Sequence, residues 1–283
     1  MTTAIALMST PTRRRAPWMI VIVVGFLAVI AVVTVIGGML YPDAMRQDIL
    51  ASLLPPGVDG HLLGTDELGR DVFAMTVAGT ASSVVGPVCV AVGSMLFGII
   101  LGTLAGYERG WIDFVVGRWT DLLLALPVLL AAIVVSGVLG GGYWVTVALL
   151  IVLFSPSDIR IVRAGVLEQR ARPYIEAAQM LSLSRWRVMF RHILPNVSTL
   201  IITNVMLNTA FALVAFSSLS FLGVGVSPGT ADWGRQLTDN RAIMFDNPLA
   251  VVVPALLIIL VACAVNVFGD WLGERLSRTG AAS

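Results

Sequence analysis

The sequence predicts an all-α integral membrane protein with six transmembrane helices. Of its 283 residues, 57% are hydrophobic and 12% are charged, whereas soluble domains are about one-quarter charged. The apolar residues fall in stretches that reach or approach the roughly 20 residues needed to cross a bilayer. The six predicted spans are residues 18–40, 82–106, 115–139, 143–163, 197–222 and 248–269.

Two of these spans need separate justification. The first follows three arginines at positions 13–15, as the apolar part of a signal peptide would. Its apolar run is long enough to cross the membrane and no clear cleavage site follows, so a retained signal-anchor helix is predicted. The fourth span is interrupted by Ser-Pro-Ser-Asp at 155–158, which a membrane helix tolerates when its neighbours satisfy the freed backbone groups. The three glycines at 140–142 predict a tight turn between spans three and four.

The placement of arginine predicts the orientation of the chain. All 18 basic residues are Arg. With the amino terminus inside, only Arg46, Arg70, Arg235 and Arg241 fall in outer segments and the other fourteen fall in inner ones. Because positive residues favour the cytoplasmic side, both termini are expected in the cytoplasm. The predicted organisation is a cytoplasmic tail at 1–17, an anchor helix at 18–40, an extracytoplasmic segment at 41–81, a five-helix core at 82–271 and a cytoplasmic tail at 272–283.

Composition also excludes several functions. A phosphate-binding loop needs a Lys to reach the nucleotide phosphates, and this chain contains no Lys. If transport is driven by ATP, the ATPase must therefore be another polypeptide. The net charge of +1 indicates no nucleic-acid surface. No hydrolase triad or metal-ligand cluster is evident, and Cys89 and Cys263 fall in apolar spans, which is typical of small buried side chains.

The polar segment 173–195 is the most informative part of the chain. Pro173 suits the first position of a helix, and Glu176 falls in the first turn, where the helix dipole favours an acid. Ala177 and Ala178 offer a surface without bulk, which another protein could approach closely. The residues alone leave two alternatives open: a docking helix for a partner protein, or an amphipathic loop at the lipid headgroups.

A second helix is predicted directly after the first. Ser182 weakens the first helix, and the second begins near Arg185 and ends at Pro195. Its apolar residues Trp186, Met189, Phe190 and Ile193 recur at helical spacing and predict one apolar stripe.

This segment resembles the E-A-A-x-x-x-G-x9-I-x-L-P motif of the permeases of ABC importers. In that family the motif forms a coupling helix that fits a groove on the ATPase subunit. The residues that the resemblance assigns to ATPase coupling are Glu176, Ala177, Ala178, Ser182, Leu194 and Pro195. Ser182 replaces the usual Gly, but Ser is small enough that the bend should be preserved. His192 stands where Ile is common, as in variants found in peptide permeases.

Two further stretches narrow the resemblance to one family. Residues 63–71, with the sequence LGTDELGRD, are similar to a signature of the shorter permease of dipeptide, oligopeptide and nickel importers. Residues 220–226 and 232–234, SFLGVGV and DWG, resemble stretches of the same subunit. The resemblance implies a six-helix type I importer fold and no catalysis on this chain. It also implies a second homologous permease, two ATPase subunits (or a fused pair) that bind Mg-ATP, and an extracytoplasmic solute-binding protein. The solute itself, a peptide or alternatively a nickel complex or other small solute, is not fixed.

Other polar residues are candidates for contact with the solute or with partners. Asn204 and Asn208 share a face of span five and Phe211 continues it, so they either line the pathway or bond a neighbouring helix. At the outer side, Asp66, Arg70, Asp71 and Trp233 are candidates for contact with a binding protein. The alternatives are a self-satisfied Asp–Arg turn and, for Trp233, an interfacial anchor.

A rival class is the ion-coupled secondary transporter. Such a protein needs an ionisable residue within the membrane as a relay, and the predicted spans offer few. The rival would also leave segment 173–195 without a purpose. An intramembrane enzyme is disfavoured because catalytic constellations are missing from the sequence.

Overall fold

The fold is entirely helical across the part of the chain that the computed structural model describes, residues 17–280, apart from two isolated β-bridges in the loop before residue 72. The predicted tail with its arginines at 13–15 lies outside these residues. The helices are α1 (Pro17–Leu40), α2 (Val72–Ala78), α3 (Thr80–Phe97), α4 (Thr103–Glu108), α5 (Gly110–Leu124), α6 (Val128–Leu139), α7 (Tyr143–Arg170), α8 (Pro173–Met180), α9 (Arg185–Arg187), α10 (Leu194–Phe221), α11 (Trp233–Asn240) and α12 (Leu249–Gly280). Two π-helical stretches, Gly98–Gly102 and Val188–Ile193, join α3 to α4 and α9 to α10.

Among residues 17–280, five helices are long and apolar enough to cross a membrane. They are Trp18–Leu40, Val72–Glu108, Tyr143–Arg170, Arg185–Phe221 and Leu249–Ser277. A sixth crossing exists if α5 and α6 count as one span, but these two helices meet at 87°. Pro127 precedes α6 as its N-cap, with an extended ψ of 116°, and proline cannot continue the hydrogen bonding of a helix. The third predicted span is therefore broken, which its apolar composition did not reveal.

Three helices begin or end at residues other than those predicted from the sequence. The fourth predicted span tolerates its polar stretch at 155–158, because Ser155 Oγ donates to the Val152 carbonyl at 2.8 Å beside Pro156, and its helix continues past residue 163 to Arg170. Asp71 caps α2 by accepting from the Ala74 amide at 2.8 Å, so this helix begins ten residues before the predicted span at 82. The predicted carboxyl-terminal tail from 272 is helical as far as Gly280.

Helices α7 and α10 form the centre of the molecule. Helix α10 packs against α3, α7 and α12, and α7 packs against α3, α4 and α10. Glycine allows close approach to α7: a Cβ on Gly98 would lie 2.7 Å from the Asp158 Cβ, and one on Gly102 would lie 2.8 Å from the Ile159 carbonyl oxygen. Helix α8 lies before the start of α10, and α11 follows the end of α10. The molecule therefore has an α8 end and an α11 end.

Candidate functional site

The α8 end carries the segment that resembles a coupling helix. Helix α8 lies between the end of α7 and the start of α9, and its first turn holds Glu176. Ile175 is completely buried in an apolar cluster that also contains Val188, Ile193 and Val197. This cluster seats one face of α8 on the helices that flank it, so the segment is a fixed part of the fold.

Hydrogen bonds fix the start of α8. The Tyr174 hydroxyl donates to Gln169 Oε1 at 2.9 Å and accepts from Asn196 Nδ2 at 3.3 Å. Asn196 Nδ2 also donates to the His192 carbonyl at 2.6 Å. Desolvation raises the pKa of the Tyr174 hydroxyl, which keeps it a neutral donor. One phenol thus joins the last turn of α7, the first turn of α8 and the first turn of α10.

The opposite face of the segment is exposed and apolar at its tip. Met180 is 80% exposed and Leu181 is 75% exposed, and Glu176 and Ala177 are exposed beside them. The turn that follows contains Ser182, whose φ is 55°. Serine therefore holds the left-handed conformation that glycine adopts without cost, and the bend expected from the resemblance is present.

Three expectations about this segment need correction. Ala178 is only 6% exposed and packs in the same cluster as Ile175, so it does not present a surface to a partner. The predicted apolar stripe is divided, because Met189 is buried while Trp186, stacked on Phe190, is 62% exposed. Pro195 does not end the second helix, since a continuous helix runs through it from Arg185 to Phe221. Pro195 lies in the first turn of α10, directly after the π-helical stretch, where the missing N–H of proline costs little.

The α11 end holds the motif at residues 63–71 in a buried polar network. Arg70 Nε donates to Asp66 Oδ2 at 2.6 Å, and Arg70 Nη2 donates to Asp239 Oδ2 at 3.2 Å. Asp66 Oδ1 accepts from the backbone amides of Leu68 and Arg70 at 3.0 and 2.8 Å. Asp66 is 2% exposed and Arg70 is 5% exposed. The turn depends on Gly69, since a Cβ at its φ of 71° would lie only 1.7 Å from the Asp48 carbonyl oxygen.

Trp233 is a core residue of the same end. It is fully buried, and its indole Nε1 donates to the Thr76 carbonyl at 2.9 Å. Asp232 caps α11 and accepts from Ser83 Oγ at 2.9 Å. Burial raises the pKa of the Asp232 carboxyl, against the lowering effect of its hydrogen bonds. These contacts tie the loop before α11 to α2 and α3.

The predicted surface for a binding protein is therefore wrong for three of its four residues. Asp66 and Arg70 form the self-satisfied turn that was the alternative, and Trp233 is neither an interfacial anchor nor a surface residue. Asp71 alone is partly exposed; its Oδ2 lies 2.6 Å from His61 Nδ1.

Comparison with known proteins identifies the family. Residues 98–278 match the family described as the inner membrane component of binding-protein-dependent transport systems. That match covers more than half of the chain and includes α7, α8, α10 and α12. The chain belongs to this family of ABC importer permeases.

Individual relatives of the permease are similar over most of their length. It is 35% identical over 216 residues to the glutathione transport system permease protein GsiD of Pectobacterium atrosepticum, covering 76% of this chain and 72% of the relative. It is 32% identical to the dipeptide transport system permease protein DppC of Haemophilus influenzae, covering 89% and 87%. The di/tripeptide transport system permease protein DppC of Pseudomonas aeruginosa is 35% identical, with 83% and 78% covered.

The permease holds Asn204 and Asn208 against another helix. Both Nδ2 atoms donate to Asp158 Oδ1 in α7, at 2.5 and 2.6 Å, and each asparagine is 8% exposed. In this structure they bond a neighbouring helix, which was the alternative to lining a pathway. Phe211 is 64% exposed on the same helix and is not part of this cluster.

Asp158 is the functional candidate that sequence reasoning did not identify. In the sequence it stands only as a polar interruption of span four, yet it is completely buried in α7. An acid inside a span needs polar partners, and the two asparagines of span five were the available signal. Because no surface of Asp158 is exposed, the structure does not place it on a water-filled proton route.

Proposed function

We propose that this chain is the shorter permease subunit of a peptide importer, and that its α8 segment is the docking element for a separate ATPase. The proposal rests on the difference between the buried face of α8 and its exposed tip. One face is anchored through Ile175, while Ala177, Met180 and Leu181 are exposed at the tip. An exposed apolar tip on a fixed helix is the form that a helix-in-groove contact requires.

The orientation follows from the same proposal. ATP is in the cytoplasm, so the α8 end is cytoplasmic, as the distribution of arginine also predicts. The α11 end then faces the extracytoplasmic binding protein. Because Asp66, Arg70 and Trp233 are buried, contact with that protein falls to exposed residues such as Leu50 and Leu62, which are 98% and 65% exposed.

The assignment to peptides rests on the relatives, which are named for glutathione, dipeptide and di/tripeptide transport. Under this proposal the chain makes and breaks no bonds. Mg-ATP binds to the two ATPase subunits or a fused pair, and a second homologous permease completes the pathway. Closure of the ATPases shifts the permease pair between two states of access.

Neighbouring alanines provide a matched test of docking. Ala177→Trp adds bulk to an exposed position beside the tip, so the chain should fold and insert normally. Overpacking a tight contact costs about 1–3 kcal/mol, which corresponds to a ~5- to 150-fold loss of affinity for the ATPase. Ala178→Trp adds the same side chain to a position that is 6% exposed, so it should destabilise the permease itself.

Two measurements separate these outcomes. Thermal unfolding of the purified permease should report a loss for Ala178→Trp only, and copurification of the ATPases should report a loss for Ala177→Trp in a stable chain. Uptake of a labelled dipeptide in proteoliposomes, with and without vanadate, tests ATP dependence and substrate. If Ala177→Trp keeps both copurification and uptake, α8 is an interfacial loop and the docking assignment is wrong.

A further inference from the structure

The two helices that flank α8 are tied together at three levels. Farthest from α8, Asp158 of α7 accepts hydrogen bonds from Asn204 and Asn208 of α10. Nearer to α8, α7 packs tightly against α10 at Gly165, where a Cβ would lie 2.8 Å from Val197. The last level is the Tyr174 hydroxyl, which bonds both flanking helices beside α8. The contact at Asp158 is the only one of the three that buries an ionisable group inside a span.

The position of this contact gives it leverage over α8. At a rise of about 1.5 Å per residue, Asp158 lies ~18 Å from the end of α7 at Arg170. Asn204 lies ~15 Å from the start of α10 at Leu194 by the same measure. Helices α7 and α10 are thus joined near the middle of their spans, far from the exposed tip of α8.

The chemistry of the membrane explains why a polar contact is needed there. Lipid tails are as apolar as leucine, so membrane helices gain no hydrophobic driving force from association, and close packing and hydrogen bonds between the helices hold them together. A charged or polar group in this environment is costly unless it is paired. Separating α7 from α10 would break two hydrogen bonds to a buried carboxyl group inside the span, so these bonds resist any motion that changes the register of the two helices.

We propose that Asp158, with Asn204 and Asn208, is a positioning clamp that makes α7, α8 and α10 move as one rigid unit during transport. The clamp rests on the proposed function, because it matters only if α8 receives a displacement from the ATPase. With the clamp closed, a shift of α8 rotates both spans together. With the clamp open, α8 moves, but the parts of α7 and α10 on the far side of Asp158 and Asn204 do not move with it. ATP is then hydrolysed without transport.

The first test measures coupling. Asp158→Ala should keep ATPase binding and hydrolysis but lower the number of peptides imported per ATP hydrolysed, by ~5- to 150-fold if the clamp supplies a typical coupling free energy. Asp158→Asn keeps an oxygen acceptor and should retain most of the coupling. Asn204→Asp alone sets a second carboxyl group against Asp158 in place of a donor and should lower the ratio. Adding Asp158→Asn to that variant restores a donor and an acceptor across the contact and should rescue the ratio.

A matched control lies beside the clamp on α10. Thr209 Oγ1 donates to the Val205 carbonyl of its own helix at 2.8 Å. Thr209→Val therefore removes a polar group at the same depth without touching α7, and should leave the ratio of peptide to ATP unchanged. A variant that loses its fold would lose copurification of the ATPases together with uptake. An uncoupled variant would keep copurification and would lower only the ratio of peptide imported to ATP hydrolysed.

The second test measures the helices directly and does not depend on transport. Dipolar EPR measures the distance between α7 and α10 from spin labels at Ala164 and Leu200. Cys89 and Cys263 are replaced by Ser in this experiment. The wild-type distance should be narrow and equal in nucleotide-free and vanadate-trapped assemblies, and broader in Asp158→Ala. A wild-type distance that changes between the two states, or an Asp158→Ala variant with unchanged distance and coupling, would overturn the clamp. Failure of ATP-dependent uptake in the wild type would instead overturn the proposed function.

Discussion

The two ends of this molecule use recognisable motifs in opposite ways. At the α11 end, the polar residues of the motif bond one another and are buried: Asp66 and Arg70 are 2% and 5% exposed. At the α8 end, the motif leaves apolar side chains uncovered, with Met180 and Leu181 80% and 75% exposed. The difference shows that the polarity of a motif does not reveal whether the motif is exposed. A better guide to a contact surface is which apolar side chains the fold leaves uncovered, and within the motifs these lie at the α8 end.

The largest expected effect tests the buried end. Trp233→Ala removes a fully buried indole and its hydrogen bond to the Thr76 carbonyl, so the free energy of unfolding of the purified chain should fall by about 3–5 kcal/mol. Trp111 on α5 is 76% exposed, and Trp111→Ala should change the free energy of unfolding by less than about 0.5 kcal/mol. If Trp233→Ala unfolds like wild type but responds poorly to the binding protein, the α11 end is a docking surface after all and the comparison fails.

Several features of both ends could be predicted from the sequence, and the reasons for the others are physical. Long apolar runs fixed the spans because the bilayer sets their length, and the short polar motif at 173–195 marked α8. Burial could not be assigned in the same way. Ala177 and Ala178 are chemically identical, and only the contacts of Ile175 decide which of them faces inward. In the sequence, Trp233 suits an interface or a core equally well. Only the folded chain shows that its indole Nε1 donates to the Thr76 carbonyl.

The network around Asp158 illustrates the same limit within the membrane. Asn204 and Asn208 were recognisable as a polar face of one helix, four residues apart. Their partner lies 46 and 50 residues away in another helix, and no local spacing relates the two. The bend between α5 and α6 was missed because composition reports apolarity and not direction, although Pro127 stands at the bend.

A second prediction sharpens the comparison through pH. Burial raises the pKa of the Asp232 carboxyl above its ordinary value of 3.8, so the folded state holds this proton more tightly than the unfolded chain does. Stability from this group is therefore present below pH 3.8 and is lost as pH rises through the raised pKa, with a slope of up to about 1.4 kcal/mol per pH unit. Asp232→Asn carries no such proton and can still cap α11.

The measurement is the free energy of unfolding of both proteins from pH 4 to pH 7. The stability of Asp232→Asn relative to wild type should rise with pH above the ordinary pKa of an aspartate, because only the wild type loses a proton that its folded state holds. Parallel curves would mean that Asp232 titrates alike in the folded and unfolded chain, and the α11 end would then be less tightly sealed than the contrast with α8 requires.

The smallest expected effect concerns the shape of the α8 end. Ser182 holds a φ of 55°, a left-handed conformation that costs an L-residue about 1–2 kcal/mol and glycine nothing. Ser182→Gly should therefore raise the free energy of unfolding, by less than this amount because glycine also loses more freedom on folding, and should leave copurification of the ATPases unchanged. Ser184 is the matched control, since its φ is −60° and its Oγ caps α9 by accepting from the Arg187 amide. Ser184→Gly gains no relief and loses that cap, so it should destabilise slightly. If both glycines destabilise alike, the turn after α8 is not held in the left-handed conformation, and the exposed tip is shaped by its partner and not by this chain.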